Sequence, residues 1–259
     1  MTEQTLIITG ASRGLGAATA KIAAQLGANV VINARSDEDL AAMAQEIQDS
    51  GGRALGVAGD VSRIEDCWRL VNKALRQYDQ VDAIINNAGI IDPMATIAES
   101  DPHTWKENIA INLLGPVYLT QAALPHLRKQ NGRVINVSSG AAVKVVEGWS
   151  AYCSAIAALN HFNRVLASEE DAITAIAFRP GAIDTEMQAT IREEGGEGMP
   201  ENAHARYLRL HEEGKLLPPE APGKAMALLA LFAPHAWSGE FIAWDEERVQ
   251  DLVAQYLPT

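Results

Sequence analysis

Basic residues are scarce. Twenty-one Lys and Arg stand against 33 Asp and Glu, a formal charge of −12. A nucleic-acid partner or an anionic membrane surface calls for the opposite sign, so neither is expected. Cysteine is nearly absent as well. Cys67 and Cys153 are too few for a disulfide framework and suit a reducing, cytoplasmic compartment. Long hydrophobic runs are missing: Ala225–Ala233, the longest near the C-terminus, falls well short of the roughly 20 residues that cross a bilayer. The first strand-like run starts at Thr5, which leaves no room for a signal peptide. Six histidines (103, 126, 161, 204, 211 and 235) show no metal-ligand spacing, and no metal is expected.

What the chain does have is a globular composition, 47% hydrophobic and 21% charged, over 259 residues. That length fits a single domain, 1–259. Short Val/Ile-rich runs, apolar on both faces, occur at Leu6–Thr9, Asn29–Asn33, Arg53–Ala58, Val81–Asn86, Arg133–Ser138 and Ile173–Arg179. They read as strands of a parallel sheet covered on each side. Helical patterns lie between them, among them Leu15–Leu26, Asp37–Ser50, Ile64–Tyr78 and Ser150–Ala167, with Asp37 as a candidate N-cap and Gly51-Gly52 as a stop. The alternation predicts an α/β, doubly wound parallel sheet. One charged, glycine-containing segment, 186–217, interrupts it before a helix at Glu220–Phe232, and reads as a lid-like insertion over a substrate site.

Thr9-Gly10-Ala11-Ser12-Arg13-Gly14-Leu15-Gly16 follows the first strand and opens the first helix. Glycines there permit a tight turn, and free N–H groups at the helix start suit a pyrophosphate, the arrangement of a Rossmann fold. Dinucleotide choice is set at the end of the second strand, where a carboxylate would bind the adenine ribose and repel a 2′-phosphate. This chain has Asn33-Ala34-Arg35 instead. Arg13 and Arg35 offer guanidinium forks to a 2′-phosphate, so NADP(H) is expected over NAD(H).

The spacing of those glycines, with Asp60-Val61, Asn86-Asn87-Ala88-Gly89, Asn112, Ser139, Tyr152 and Pro180-Gly181 with Thr185 in the same order, resembles the short-chain dehydrogenases/reductases. The resemblance runs from residue 9 to 185. It implies that Gly10, Ser12, Arg13, Gly14, Leu15 and Gly16 cradle the cofactor phosphates. Asp60 and Val61 would hold the adenine, while Asn87, Ala88 and Gly89 line its ribose. Pro180, Gly181, Ile183 and Thr185 would sit by the nicotinamide. Ser139 and Tyr152 match the family's catalytic serine and tyrosine, with Ser138 as the neighbouring alternative, and Asn112 matches the asparagine that helps to hold a water relay. Homodimers or homotetramers are the family's usual assemblies. Glu147–Cys153, Ala157–Phe162 and His211–Glu220 are similar to the sepiapterin reductase and benzil reductase branch, which implies reduction of a ketone or diketone with NADPH.

One member is absent. The family carries a lysine four residues after the tyrosine, where it would bind the nicotinamide ribose and lower the tyrosine pKa; here that position is Ile156, preceded by Ala155. Isoleucine can do neither. Without the cation, Tyr152 is expected to titrate near its ordinary value of about 10. Lys144 reads as a solvated surface lysine, Cys153 as a structural thiol, and Trp237 and Trp244 as core-edge or subunit-contact residues. Two functional readings stay open. One is an NADPH-dependent carbonyl reductase with impaired activity. The other is a catalytically inactive dinucleotide-binding pseudoenzyme or an engineered active-site variant.

Overall fold

Leu6 and Ile8 point to one face of their strand and Ile7 to the other, yet all three are fully buried. A strand apolar on both faces must be covered twice, and the computed structural model, which describes residues 3–257, shows how. Residues 1–2 and 258–259 lie outside the described residues. Seven parallel strands, β1 (Thr5–Thr9), β2 (Asn29–Ala34), β3 (Arg53–Ala58), β4 (Ala83–Asn86), β5 (Arg133–Val137), β6 (Thr174–Arg179) and β7 (Phe241–Ala243), pair in the order β3-β2-β1-β4-β5-β6-β7. This is a doubly wound, Rossmann-like sheet.

On one face α1 (Gly14–Gln25), α2 (Asp37–Asp49), α9 (Glu220–Phe232) and α10 (Glu247–Tyr256) bury Ala20, Leu40, Leu229 and Val249 against Leu6, Ile8, Ile32 and Phe178. On the other, α3 (Ile64–Tyr78), α5 (Gly115–Gln130) and α6 (Ser150–Glu169) cover Ile7, Val31, Ile84 and Val134. In α3 the buried side chains are Cys67, Leu70, Val71 and Ala74, the spacing of one helical face.

Several expectations shift in detail. The second helix is capped by Ser36, whose hydroxyl accepts from Asp39 N at 3.3 Å, rather than by Asp37, which is its first residue. The fourth strand begins at Ala83, two residues later than the sequence suggests, and just before it the Asp82 carboxylate accepts from the Thr5 amide at 2.7 Å. Helices α4 (Pro102–Ile109) and α5, joined by a π-helical turn at Ala110–Leu114, have prolines at Pro102, Pro116 and Pro125 that obscure their pattern.

The insertion after β6 is helical and only partly polar. It contains α7 (Glu186–Glu194), a 3-10 turn at Gly195–Glu197 and α8 (Glu201–Glu212). Ile191, Met199 and Tyr207 are buried in a satellite cluster with Ile91, Met94 and Trp149. His204 Nε2 reaches the carbonyls of Ile191 and Arg192 at 3.0 and 3.1 Å, tying α8 to α7. At its base, Ile183 pairs with Leu217: Leu217 N donates to Ala182 O and Asp184 N to Leu217 O, each at 2.8 Å.

Under the site runs a ladder of neutral amides. Asn86 Nδ2 donates to Asn136 Oδ1 at 2.8 Å, Asn136 Nδ2 to Asn163 Oδ1 at 3.0 Å, and Asn163 Nδ2 to Ala175 O at 3.3 Å. It joins β4, β5, α6 and β6. Replacing Asn136 by Ala orphans a buried donor and a buried acceptor, each costing about 1–3 kcal/mol. Urea unfolding of Asn136→Ala is expected to show a loss of roughly 2–6 kcal/mol, against under about 0.5 kcal/mol for the exposed Arg209→Ala.

Candidate active site

Between β1 and β4 the strand order reverses, and a cavity of about 940 Å³ opens at the carboxyl ends of the strands. Two side chains build its floor. Thr9 Oγ1 accepts from Asn87 N and Ala88 N at 3.0 and 3.1 Å, while Asn87 Nδ2 donates to the carbonyls of Thr9 and Gly10, both at 2.9 Å. This lacing draws the glycine-rich turn onto β4. A Cβ at Gly10, where φ is +62°, would lie 2.8 Å from Ala88 Cα. At Gly16 it would overlap the Gly10 carbonyl oxygen. No side chain caps the start of α1, so its first amides are open to an anion.

Every residue expected to bind cofactor lines this cavity except Gly16. Gly16 is buried, and lets the turn close without lining the cavity. Asn87 likewise directs its amide to the turn backbone rather than outward. At one end stand Arg35, Asp60 and Val61. Asp60 Oδ1 accepts from Ser62 N and Oγ at 2.9 and 2.7 Å, forming a turn that ends just before Arg63, the residue that precedes α3. Arg13 and Arg35 are the only cationic side chains lining the cavity among the described residues. Asp39, in the first turn of α2, also borders this end. Sequence reasoning passed over it, and over Ser36, because both read simply as helix-start residues.

At the other end, Ser139 and Tyr152 both line the cavity, with the serine hydroxyl near enough to oppose part of the rise in the Tyr152 pKa. Ser139 Oγ also accepts from Ala141 N at 3.2 Å, in a 3-10 turn that carries the chain from β5 toward α6. The alternative, Ser138, is buried with its hydroxyl donated to Asn160 Oδ1 at 2.6 Å, which leaves Ser139 as the serine facing the tyrosine. Asn112 sits in the π-helical turn. Its Oδ1 accepts from Ile90 N at 2.9 Å and its Nδ2 donates to Ile90 O and Asn108 Oδ1, both at 2.8 Å. Both amide hydrogens are engaged, so the side chain shapes the backbone.

Ile156 is 3% exposed, one helical turn beyond Tyr152, and lines the cavity. No lysine lines it among the described residues; Lys144 is exposed and outside it. Burial, against a smaller opposing effect of the Ser139 hydroxyl, pushes Tyr152 up to about 12. The expected value near 10 is therefore too low, because desolvation adds to it.

Trp149 stacks on Tyr207 at 4.8 Å and meets Tyr152 edge-on at 5.7 Å. With Ile91 and Ile191 it gives this end an aromatic and apolar wall, a feature hidden in sequence because Tyr207 lies 55 residues beyond Tyr152. Trp244 packs at the core edge, its Nε1 3.2 Å from where a Gly181 Cβ would stand, and Trp237 lies under Arg248 at 4.8 Å. Cys153 is half-buried, and burial raises its pKa, as befits an unreactive thiol.

Tyr207 is also pushed up to about 12, and burial raises Tyr78. The unfolded chain ionises its phenols near 10. The stability these groups contribute is whole below about pH 10 and is lost as pH rises toward 12. Absorbance titration is expected to show Tyr78, Tyr152 and Tyr207 ionising late, together with a falling urea midpoint over that window; full ionisation of all five tyrosines near pH 10 in the folded chain would contradict it.

A family pattern described as short chain dehydrogenase matches residues 4–196. The chain is 36% identical to a benzil reductase ((S)-benzoin forming) of Bacillus cereus over 93% of this chain and 99% of that one. Its fold superposes on the crystal structure of the KRED1-Pglu enzyme with a TM-score of 0.89 at 39% identity, covering 92% and 100% of the two chains. A short chain dehydrogenase/reductase from Saccharomyces cerevisiae gives 0.91 at 34% identity, covering 96% and 99%. With the glycine turn, the Ser139–Tyr152 pair and the strand order all in place, the chain belongs to the short-chain dehydrogenase/reductase family of oxidoreductases.

Proposed function

We propose that this oxidoreductase is an NADP(H)-linked reductase of a small ketone or diketone, working at reduced rate because Ile156 stands in place of the family lysine. The observation that carries the reading is the joining, in one cavity, of Ser139 and Tyr152 with a cradle whose only cationic side chains, among the described residues, are Arg13 and Arg35. Family members use NAD(P)(H), and the residues present fit a dinucleotide: the Gly10 turn has no room for a Cβ, the α1 amides are uncapped, and no carboxylate ends β2. Asp60 and Val61 would hold the adenine, Asn87–Gly89 the ribose, and Pro180, Gly181, Ile183 and Thr185 the nicotinamide, which supplies the hydride when bound.

The chain's own residues handle the oxygen. Ser139 positions a substrate carbonyl, and the Tyr152 hydroxyl donates to it and gives up its proton as negative charge develops. Reduction needs the neutral phenol, the dominant form here. Oxidation of an alcohol needs the phenolate, which a pKa of about 12 leaves at roughly 1 part in 100,000 at pH 7. Reduction is therefore the favoured direction. The wall of Trp149, Ile91 and Ile191 favours an apolar or aromatic substituent, as in benzil, the substrate in the name of the Bacillus relative. We further propose a cytoplasmic homodimer or homotetramer built from this one domain. No helix among the described residues is long and apolar enough to cross a membrane. An exposed face of α6 bearing Ala157, Ala158 and Val165 offers a surface for assembly.

A dinucleotide-binding protein without turnover is the second reading, favoured by the buried Ile156 and by the absence of any cavity-lining lysine among the described residues. NADPH consumption with benzil separates the two. The native chain is expected to turn over measurably, and Ile156→Lys to raise kcat about tenfold to a hundredfold, the range of one hydrogen bond to a charged group. No turnover by the native chain, with turnover by Ile156→Lys, would establish the second reading. Equal rates for both would show that the lysine's role is filled elsewhere.

A further inference from the structure

The Arg13 guanidinium stands between two anionic claimants. Its Nε lies 2.5 Å from Glu186 Oε2, where Glu186 is the first residue of α7. Both residues line the cavity, and the contact crosses from the glycine-rich turn to the lid. The backbone brings these elements close, since a Cβ at Gly14 would lie 3.3 Å from Thr185 Cγ2. Arg35, the other cavity cation, has no carboxylate within ion-pair distance among the described residues. The pair is exposed, with 69% and 58% of its side-chain surfaces open, so it exchanges partners at little cost.

We propose that Glu186 is a specificity-determining residue that competes with the cofactor's 2′-phosphate for Arg13. This rests on the NADP(H) reading above. A guanidinium presents its full fork to a phosphate only by leaving the carboxylate. The carboxylate left behind then faces a dianion of like sign. NAD(H) lacks that phosphate, demands no exchange, and leaves the Arg13–Glu186 pair in place. Glu186 thus weakens the binding of one dinucleotide and spares the other, and Arg35 is the uncontested half of the phosphate site.

The test is calorimetric binding of NADP⁺ and NAD⁺, free of turnover, to the native chain, Glu186→Gln, Arg13→Gln and the double variant at low salt. The expected result is a gain of about two- to fivefold in NADP⁺ affinity for Glu186→Gln, with NAD⁺ unchanged. That gain should vanish in the Arg13→Gln background and shrink at about 0.5 M salt. A gain that survives without Arg13, or that NAD⁺ shares, is a general effect of charge and overturns the competition. If NADP⁺ is preferred and Arg13→Gln weakens it while Glu186→Gln does nothing, the competition fails and the NADP(H) reading stands. If the native chain binds NAD⁺ at least as tightly and Arg13→Gln alters neither affinity, both fall.

Discussion

Thr9 and Asn87 lace the ends of β1 and β4 together where the strand order reverses and these two neighbours send their connections to opposite faces of the sheet. Left alone, that divergence would open a water-filled cleft with unpaired backbone at its floor. Two short polar side chains instead satisfy two amides and two carbonyls, and they hold Gly10 against Ala88 so closely that no Cβ fits. The shape of the cavity, the direction of the α1 amides and the distance across to the lid all follow from that closure. Behind it, the Asn86–Asn136–Asn163 ladder fixes β4, β5 and α6 with amides that carry no charge, so the support of Ser139 and Tyr152 is independent of pH near neutrality.

The catalytic end sets two physical demands against each other. A dry wall of Trp149, Ile91 and Ile191 strengthens the hydrogen bonds that would orient a substrate. The same dryness disfavours the phenolate of Tyr152. Ile156 extends the apolar surface by one helical turn and aggravates the conflict.

The sheet was legible because its strands are apolar on both faces, a pattern that few other structures need. The glycine turn was legible because backbone contacts that forbid a Cβ leave the sequence little choice. Other parts were not. Prolines and a π-helical turn masked α4 and α5, and β7 has only three residues, too few for a period to emerge. The lid read as an insertion, but its helices and its own small core did not, because the buried Ile191, Met199 and Tyr207 are spread thinly among charges. Ser139 and Tyr152 were found at their family spacing, but neither the desolvation of the tyrosine nor the grip of Glu186 on Arg13 leaves any mark in the order of residues.

Ile183 and Leu217 pair at the base of the lid, so the two ends of the insertion are joined before it begins. Chain-closure entropy grows only slowly with loop length, and the strands on either side do not depend on what the insertion contains. The segment from 184 to 216 is thus a cassette. A lineage could lengthen, shorten or exchange most of it to meet new substrates while the sheet, the glycine-rich turn, Ser139 and Tyr152 were inherited unchanged.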